Sequence, residues 1–317
     1  MIQISPRLNK VIQVLKWVVP AILLVFIGYR LYTNSSLDSF TDNLLILIQH
    51  PIELTLLLVL AVVNWGLEAV KWKVLVQKIE RLTLWKSYMS VLLGLGVSLT
   101  MPRSVGELFG RLWGIGESGR EAAVGALLIS RGMQLSTTLL GGFASLLYFS
   151  LSGGMVKEMY YFFWVSLAIF VGLISVIVFA FWFSKKETKI QTYLATLKAY
   201  SFQTLVSVWS LAVGRFLTYA FQYYLVIHLL VDHMSAVALF AGILLVYLMK
   251  SIVLSTHTLS DEVVRQASAI WVFSLIGIGE EPVVVASSTI WILNLLIPSI
   301  IGVFLLPKAK IVLSSHD

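Results

Sequence analysis

The chain has 317 residues, of which 58% are hydrophobic and 12% are charged, and its mean hydropathy is +0.90. Soluble domains carry about 25% charged residues, so this composition excludes a soluble enzyme, a disordered chain and a fibrous protein. The absence of cysteine excludes a disulfide framework, an iron–sulfur cluster and thiol catalysis. The formal net charge is +7, and the sequence contains no nucleic-acid-binding motif. The positive charge therefore indicates a basic cytoplasmic face. We therefore predict an all-α polytopic membrane protein.

Apolar segments of bilayer-spanning length recur along the sequence, and a helix needs about 20 apolar residues to cross the hydrocarbon core. Two further apolar stretches, 84–118 and 236–281, are interrupted by charges and glycines. Because they are poor simple spans, we expect each to form a re-entrant or broken helical hairpin. The whole chain, 1–317, is predicted to be a single integral membrane domain. Six spans are predicted, at about 12–32, 51–70, 122–150, 159–183, 203–231 and 282–306.

The charges between these segments predict the orientation, since Lys and Arg are concentrated in cytoplasmic loops. The loop 33–50 carries Asp38 and Asp42 and no Lys or Arg, so we expect it outside. The segment 184–201 is the longest charged connector, and its lysines predict a cytoplasmic location. Both termini are expected on the cytoplasmic side of a bacterial inner membrane. The residues expected inside are Arg7, Lys10, Lys16, Lys71, Lys73, Lys78, Arg81, Lys86, Lys185, Lys186, Lys189, Lys198, Lys308 and Lys310, and those expected outside include Lys157, Asp232 and His233.

The two interrupted stretches resemble each other in sequence. Each has an acidic residue, a basic residue three or four positions later, the tetrapeptide Gly-Ile-Gly-Glu and then a long apolar segment. The tetrapeptide occupies 114–117 and 277–280. Three predicted crossings separate the second span from the fifth, so the span–hairpin–span unit at 51–150 is expected to recur upside down at 203–306. Inverted repeats with broken helices are typical of secondary transporters.

Charged residues inside predicted membrane segments are costly and are usually paired or functional. One interpretation is that the arginines line a polar cavity that receives an anionic group, because a planar guanidinium donates two parallel hydrogen bonds to a phosphate. The alternative is that Arg131 and Arg215 neutralise acids of neighbouring helices, such as Glu68, in buried ion pairs. Both interpretations remain open from the sequence alone. The candidate headgroup-binding residues are Glu107, Arg111, Arg131, Arg215, Glu262 and Arg265.

Three sequence elements resemble the lysylphosphatidylglycerol synthase transmembrane family, a flippase-like domain. They are a basic-Trp-basic-x-Leu helix end at 71–75, a Pro-x-x-x-Gly-Glu element at 102–107, and the span that contains Arg131. The first family motif usually has arginine three residues after the glutamate, where this chain has Gly110. The resemblance covers nearly the whole chain.

The second family motif departs further from the usual pattern. It usually runs Pro, a Gly-Gly pair and then Gly-x-Arg-Glu, whereas residues 255–260 of this chain contain neither proline nor glycine. The family pattern favours Gln266 as the counterpart of Glu107, because Gln266 stands where the glutamate is expected. The internal repeat favours Glu262 instead, and the sequence leaves both assignments open.

The resemblance implies movement of lipids or lipid-linked sugars between leaflets. It does not imply lysyl transfer, which resembles the work of a separate soluble aminoacyl-transferase domain that we do not expect in this chain. One alternative is a non-transporting partner or regulator of a cell-envelope lipid-modifying enzyme. Another is a membrane enzyme that acts on a lipid phosphate, with Glu107 and Glu262 as acid–base groups.

The expected partners are therefore membrane lipids with an anionic headgroup, with an envelope-biosynthesis enzyme as a further candidate. We expect no enzymatic activity and no nucleic-acid partner. We also expect no cofactor, and the sequence has no ATP-binding motif. The histidines show no metal-ligand spacing on one helix, so we also expect no metal. The sequence does not determine the lipid, the direction of movement, a coupling ion or the oligomeric state.

Overall fold

The structure, a computed structural model, contains only helices and connecting turns in the residues that it describes, with no strand among them. This confirms the prediction of an all-α protein. Three helical segments are long and apolar enough to cross a bilayer, judged by length and composition: Pro51–Val76, Phe202–Leu230 and Glu280–Leu305. The described residues are 37–99, 101–154, 156–183, 199–231, 234–253 and 258–306.

Several sequence predictions fall on other parts of the chain. The predicted span at 12–32 and most of the connector 184–201 lie outside the described residues. The same holds for the basic residues near both termini and for Asp232 and His233.

The α-helices of the described residues follow the apolar segments closely, with boundaries that differ by a few residues. A short 3₁₀ turn, Glu117–Gly119, precedes α5, and a π-helical turn, Ile292–Leu296, joins α10 to α11. The α-helices are α1 (Leu37–Gln49), α2 (Pro51–Val76), α3 (Leu84–Val97), α4 (Arg103–Leu112), α5 (Arg120–Leu151), α6 (Lys157–Phe183), α7 (Phe202–Leu230), α8 (Ala236–Ile252), α9 (Thr258–Leu275), α10 (Glu280–Trp291) and α11 (Ile297–Leu305).

Helix α1 corrects one sequence prediction, because the segment 33–50 was expected to be a loop. The second half of α1 is rich in Leu and Ile, Leu47 is buried, and α1 packs against α10. This apolar face gives the segment a reason to fold as a helix, although its first half carries Asp38 and Asp42.

The described residues form two compact units, and each is treated separately below. Unit 1 comprises 37–60, 138–172 and 219–291, and unit 2 comprises 61–137, 173–218 and 292–306, with the gaps stated above. An apolar cluster around Trp72 and Leu75 lies at the centre of unit 2.

In unit 2 the first interrupted stretch forms two short helices, α3 and α4, that pack against each other. Thr83 caps the start of α3, since its hydroxyl accepts a hydrogen bond from the Lys86 backbone N–H at 3.2 Å. Gly110 allows the close approach of α4, because a Cβ there would collide with the backbone of Gly94 and the Ser90 carbonyl oxygen. An arginine at position 110, as in the usual family motif, cannot fit against this backbone.

In unit 1 the second interrupted stretch also forms two helices, α8 and α9, that pack together. Ser235 caps α8 by accepting a hydrogen bond from the Ala238 backbone N–H at 3.2 Å. Each interrupted stretch is therefore a pair of helices, as the charges and glycines indicated.

The tetrapeptide Gly-Ile-Gly-Glu adopts the same local structure in both places. Gly114 and Gly277 have left-handed φ angles of 84° and 81° just after α4 and α9 end, a conformation that favours glycine. The following isoleucines, Ile115 and Ile278, are buried. The final glutamate then begins the next helical segment, which is Glu117–Gly119 in one place and Glu280–Trp291 in the other.

Candidate functional site

A buried glutamate on α2 is the centre of a charge cluster in unit 2. Glu68 is 3% exposed, and its two carboxylate oxygens form ion pairs with three cationic side chains. Lys71 Nζ lies 2.7 Å from Oε2, and Arg111 Nη2 lies 2.5 Å from Oε1. Arg215 Nη1 lies 3.2 Å from Oε2. A single carboxylate thus gathers cations from α2, α4 and α7.

A second carboxylate, Glu107 on α4, extends this cluster towards α5. Arg131 donates from Nη2 and Nε to Glu107 Oε2, at 2.7 and 3.2 Å. Arg111 is 3.9 Å from the other oxygen of Glu107, so its closer partner is Glu68. We call this set the Glu68 cluster; its members are Glu68, Lys71, Glu107, Arg111, Arg131 and Arg215.

Aromatic rings and an asparagine pair hold the cluster in place. The Arg111 guanidinium lies over the Trp72 ring at 5.2 Å, and that of Arg215 lies over Trp65 at 4.8 Å. Trp65 Nε1 donates to the carbonyl oxygen of Asn294, in the π-helical turn, at 2.8 Å. Asn64 on α2 donates to the Asn294 side chain at 2.9 Å. The π turn thus gives α2 a fixed partner one helical turn from Glu68.

The Glu68 cluster has more positive than negative charge. Four cations surround two carboxylates, which gives a net charge of +2. Arg111 Nη1 and Arg215 Nε are buried and have no hydrogen-bond partner. Arg131 is the most accessible member, with 42% of its side chain exposed. Uncompensated charge and unused donors are costly to bury, so the cluster is suited to an additional anion.

A second buried cluster lies in unit 1, around Asp261 on α9. Asp261 is 1% exposed and accepts Lys250 Nζ at 2.8 Å and Arg265 Nη2 at 2.8 Å. Arg265 also donates to the Tyr219 hydroxyl and lies over its ring at 5.4 Å. Each oxygen of Asp261 therefore has its own cation.

Glu262 and Gln266 complete this arrangement. Gln266 Nε2 donates to Glu262 Oε1 at 2.8 Å and to Ser288 Oγ on α10 at 2.9 Å. Two cations face two carboxylates, so the net charge is zero. We call this set the Asp261 cluster; its members are Tyr219, Lys250, Asp261, Glu262, Arg265 and Gln266.

Comparison with known families decides what kind of protein carries these clusters. Residues 13–302 match the model of the lysylphosphatidylglycerol synthase TM region. The chain belongs to this family. No curated protein and no solved structure matches the chain. The chain is therefore a membrane-spanning member of the lysylphosphatidylglycerol synthase TM family, which relates it to lipid handling.

In this family member, the candidate residues predicted from the sequence fall into two groups. Glu107, Arg111, Arg131 and Arg215 lie together in the Glu68 cluster, and Glu262 and Arg265 lie in the Asp261 cluster. Both arginines that the sequence left between two interpretations are paired: Arg131 with Glu107, and Arg215 with Glu68. Arg131 nevertheless keeps an exposed face, so its pairing leaves it accessible to a further anion.

Sequence reasoning missed two central members of these clusters. Lys71 was predicted only as one of the basic residues on the cytoplasmic side. The structure places it within α2, which continues to Val76. The residue is 1% exposed because the ammonium group contacts Glu68. Asp261 was noted only as part of the repeat. The available signal was the spacing of each acid to a base, i and i+3 for Glu68–Lys71 and i and i+4 for Asp261–Arg265.

Unit 1 also holds an apolar cavity of about 500 Å³ with no charged side chain in its walls. Ser145, in the cavity wall, is buried, and its hydroxyl already donates to the Ala241 carbonyl oxygen at 2.6 Å. Among the described residues, no group of three or more His, Asp or Glu side chains is arranged to hold a metal ion. The cavity is lined by Ala144, Ser145, Tyr148, Phe221, Tyr224, Ala236, Val237, Phe240, Ala241 and Leu244.

Proposed function

We propose that this family member moves an anionic lipid, a phospholipid or a lipid-linked sugar, between the leaflets of a bacterial inner membrane. The lipid headgroup binds at the Glu68 cluster while its tails stay in the bilayer. The observation that carries this proposal is the surplus of two positive charges in the Glu68 cluster, whose central residues Glu68, Lys71 and Arg111 are buried. A phosphate that enters the cluster compensates that surplus.

The two arginines with the largest exposed fractions in the cluster are the first contacts for a phosphate. Arg131 lies on α5, and Arg215 Nη1 donates to the Gln134 side chain, about one turn further along α5, at 3.3 Å. Both arginines are therefore connected to α5, Arg131 through its backbone and Arg215 through this hydrogen bond. Phosphate oxygens can replace Glu107 at Arg131 by exchange of one charge-assisted pair for another. Exchange of this kind allows binding and release without a large net cost.

The family relates the chain to lipid handling, and this favours a lipid over a soluble anion as the substrate. Because the sequence has no ATP-binding motif, the movement is downhill or coupled to an ion. Bound headgroup then shifts an existing conformational equilibrium rather than driving it by hydrolysis.

The test compares arginines on one helix in purified protein reconstituted into liposomes. Labelled phosphatidylglycerol should reach an impermeant quencher faster than in empty liposomes, and faster than labelled phosphatidylcholine. Arg131→Gln should lower the rate by about 10- to 100-fold, since a hydrogen bond to a charged group contributes about 1.5–3 kcal/mol.

The matched control is Arg120→Gln, also on α5. Arg120 has a similar exposed fraction, 38%, and its ion-pair partner is Glu117 at 3.8 Å, outside the Glu68 cluster. This variant should keep the wild-type rate. Failure of the wild type to accelerate any anionic lipid contradicts the proposal. If the protein instead co-purifies with an envelope enzyme, it acts as a non-transporting partner.

A further inference from the structure

Glu262 is a buried carboxyl group with only half of its hydrogen-bonding capacity used. The residue is 8% exposed. Its Oε1 accepts from Gln266, whereas its Oε2 is buried and accepts no hydrogen bond. The nearest cationic nitrogen is Arg265 Nε, 3.7 Å from Oε2, which is beyond hydrogen-bonding distance.

The cations around Glu262 are already engaged by another carboxylate. Lys250 and Arg265 each lie 2.8 Å from Asp261, on separate oxygens. Arg265 uses a further N–H on the Tyr219 hydroxyl. Glu262 therefore shares an arginine whose short contacts go elsewhere, and its charge is the least compensated in the Asp261 cluster.

Two opposing effects act on the protonation of Glu262. Burial without hydrogen bonds to Oε2 favours the neutral acid, and the positive charge of Arg265 favours the carboxylate. The neutral acid keeps the Gln266 hydrogen bond to Oε1, so protonation breaks no contact. The charged and titratable groups that face Glu262 are Asp261 and Arg265 on α9, Lys250 and Tyr247 on α8, and Tyr219 and Tyr223 on α7.

We propose that Glu262 is a proton-binding site that couples a proton gradient to the lipid movement proposed above, on which this coupling rests. Glu262 Oε2 takes a proton from water to become a neutral carboxyl group, and it returns the proton to water on release. No other bond forms or breaks. Gln266 links Glu262 to α10, because its amide donates hydrogen bonds to both Glu262 and Ser288. A change in the protonation of Glu262 can therefore affect the contact with α10.

Proton binding is tested on the full chain in nanodiscs by infrared difference spectroscopy between acidic and alkaline buffer. The wild type should show a protonated-carboxyl C=O band that is lost as pH rises through the neutral range. Glu262→Gln should remove that band, while Glu107→Gln should leave it, since Glu107 is paired with Arg131 at 2.7 Å. A band that persists unchanged in Glu262→Gln overturns the proposal.

Coupling is tested in liposomes with a pH difference of about one unit across the membrane. One proton per lipid should change the final distribution of labelled phosphatidylglycerol by up to about tenfold. Glu262→Gln, verified as folded by its thermal unfolding, should abolish this change. A full gradient effect in that variant overturns the coupling. If the wild type moves no lipid at all, the proposed function fails, and the infrared band still decides whether Glu262 binds a proton.

Discussion

The two charge clusters share one plan but differ in balance. Each has a buried carboxylate, Glu68 or Asp261, that joins a lysine to at least one arginine, and each places an arginine over an aromatic ring. The Glu68 cluster has two surplus positive charges, whereas the Asp261 cluster is neutral. This difference in charge balance is the basis of the two proposals, an external anion at the Glu68 cluster and a proton at Glu262.

A second difference concerns one acid–base pair in each cluster. Glu107–Arg111 and Asp261–Arg265 have the same i, i+4 spacing. The second pair is close, at 2.8 Å, but the first is 3.9 Å apart because Arg111 turns to Glu68 on another helix. Arg111 thus leaves Glu107 to Arg131, which is more exposed. Helical spacing alone does not decide which acid an arginine contacts.

The largest expected effect comes from neutralising the central carboxylate of either cluster. Glu68→Gln raises the net charge of its cluster from +2 to +3, and Asp261→Asn raises that of the other from zero to +1. Each should lower the free energy of unfolding by about 3–5 kcal/mol, by analogy with broken buried pairs. Thermal unfolding in detergent measures this loss.

Added phosphatidylglycerol separates the two variants. It should restore part of the lost stability in Glu68→Gln, where surplus cations can receive its phosphate, and little in Asp261→Asn. Phosphatidylcholine serves as the control lipid. Equal recovery of both variants would contradict the difference in charge balance between the clusters.

A smaller effect is expected from glycines that allow helices to approach. In unit 2, a Cβ at Gly302 on α11 would collide with the backbone of α3 at Leu92 and Gly96, which cannot move aside. In unit 1, a Cβ at Gly142 would lie 2.5 Å from the Leu248 Cβ, a smaller overlap than the 2.0 Å approach to the Leu92 carbonyl oxygen at Gly302. Gly302→Ala should therefore cost at least about 1–3 kcal/mol, and Gly142→Ala less.

Thermal unfolding and expression level measure this difference. Gly66→Ala on α2 is the control, because nothing lies within 4 Å of its added Cβ and alanine favours a helix. Its stability should equal or slightly exceed that of the wild type. If Gly142→Ala is the more destabilising of the two test variants, the backbone contact at Gly302 is not the limiting one.

The smallest effect is expected at Tyr200, outside both clusters. Its hydroxyl donates to the Leu75 carbonyl oxygen at 2.5 Å near the end of α2. Tyr200→Phe should cost about 0.5–1.5 kcal/mol, the net contribution of one hydrogen bond. Chemical unfolding of both proteins checks this value, and the loss should add to that of Asp261→Asn, which lies in unit 1.

The same tyrosine gives a defined pH dependence. Burial raises the pKa of Tyr200 to about 12 from its ordinary value of 10.0. Because the neutral phenol is favoured in the folded state, its contribution is complete below pH 10.0 and is lost as pH rises towards about 12. The stability difference between wild type and Tyr200→Phe should therefore shrink in that range. A difference that stays constant contradicts the role of the neutral hydroxyl.

Several features were predictable because they depend on local sequence. The helix that begins at Glu280 follows from acids and a proline at its start. Each interrupted stretch folds as two helices, and a glycine of the Gly-Ile-Gly-Glu tetrapeptide follows the end of the second helix in both. The segment 37–49 was not predicted as a helix, because its packing against α10 depends on residues distant in sequence.

The sequence by itself determined that this is an all-helical membrane protein with costly charges in apolar surroundings, because hydropathy and helix signals act over short distances. It also determined which arginines need an explanation. Only the tertiary structure decided their partners. Glu68 gathers cations from α2, α4 and α7, and Lys71 is buried beside it, because residues distant in sequence meet when the helices pack. The charge balance that distinguishes the two clusters depends on these tertiary contacts and cannot be read from any single segment of the sequence.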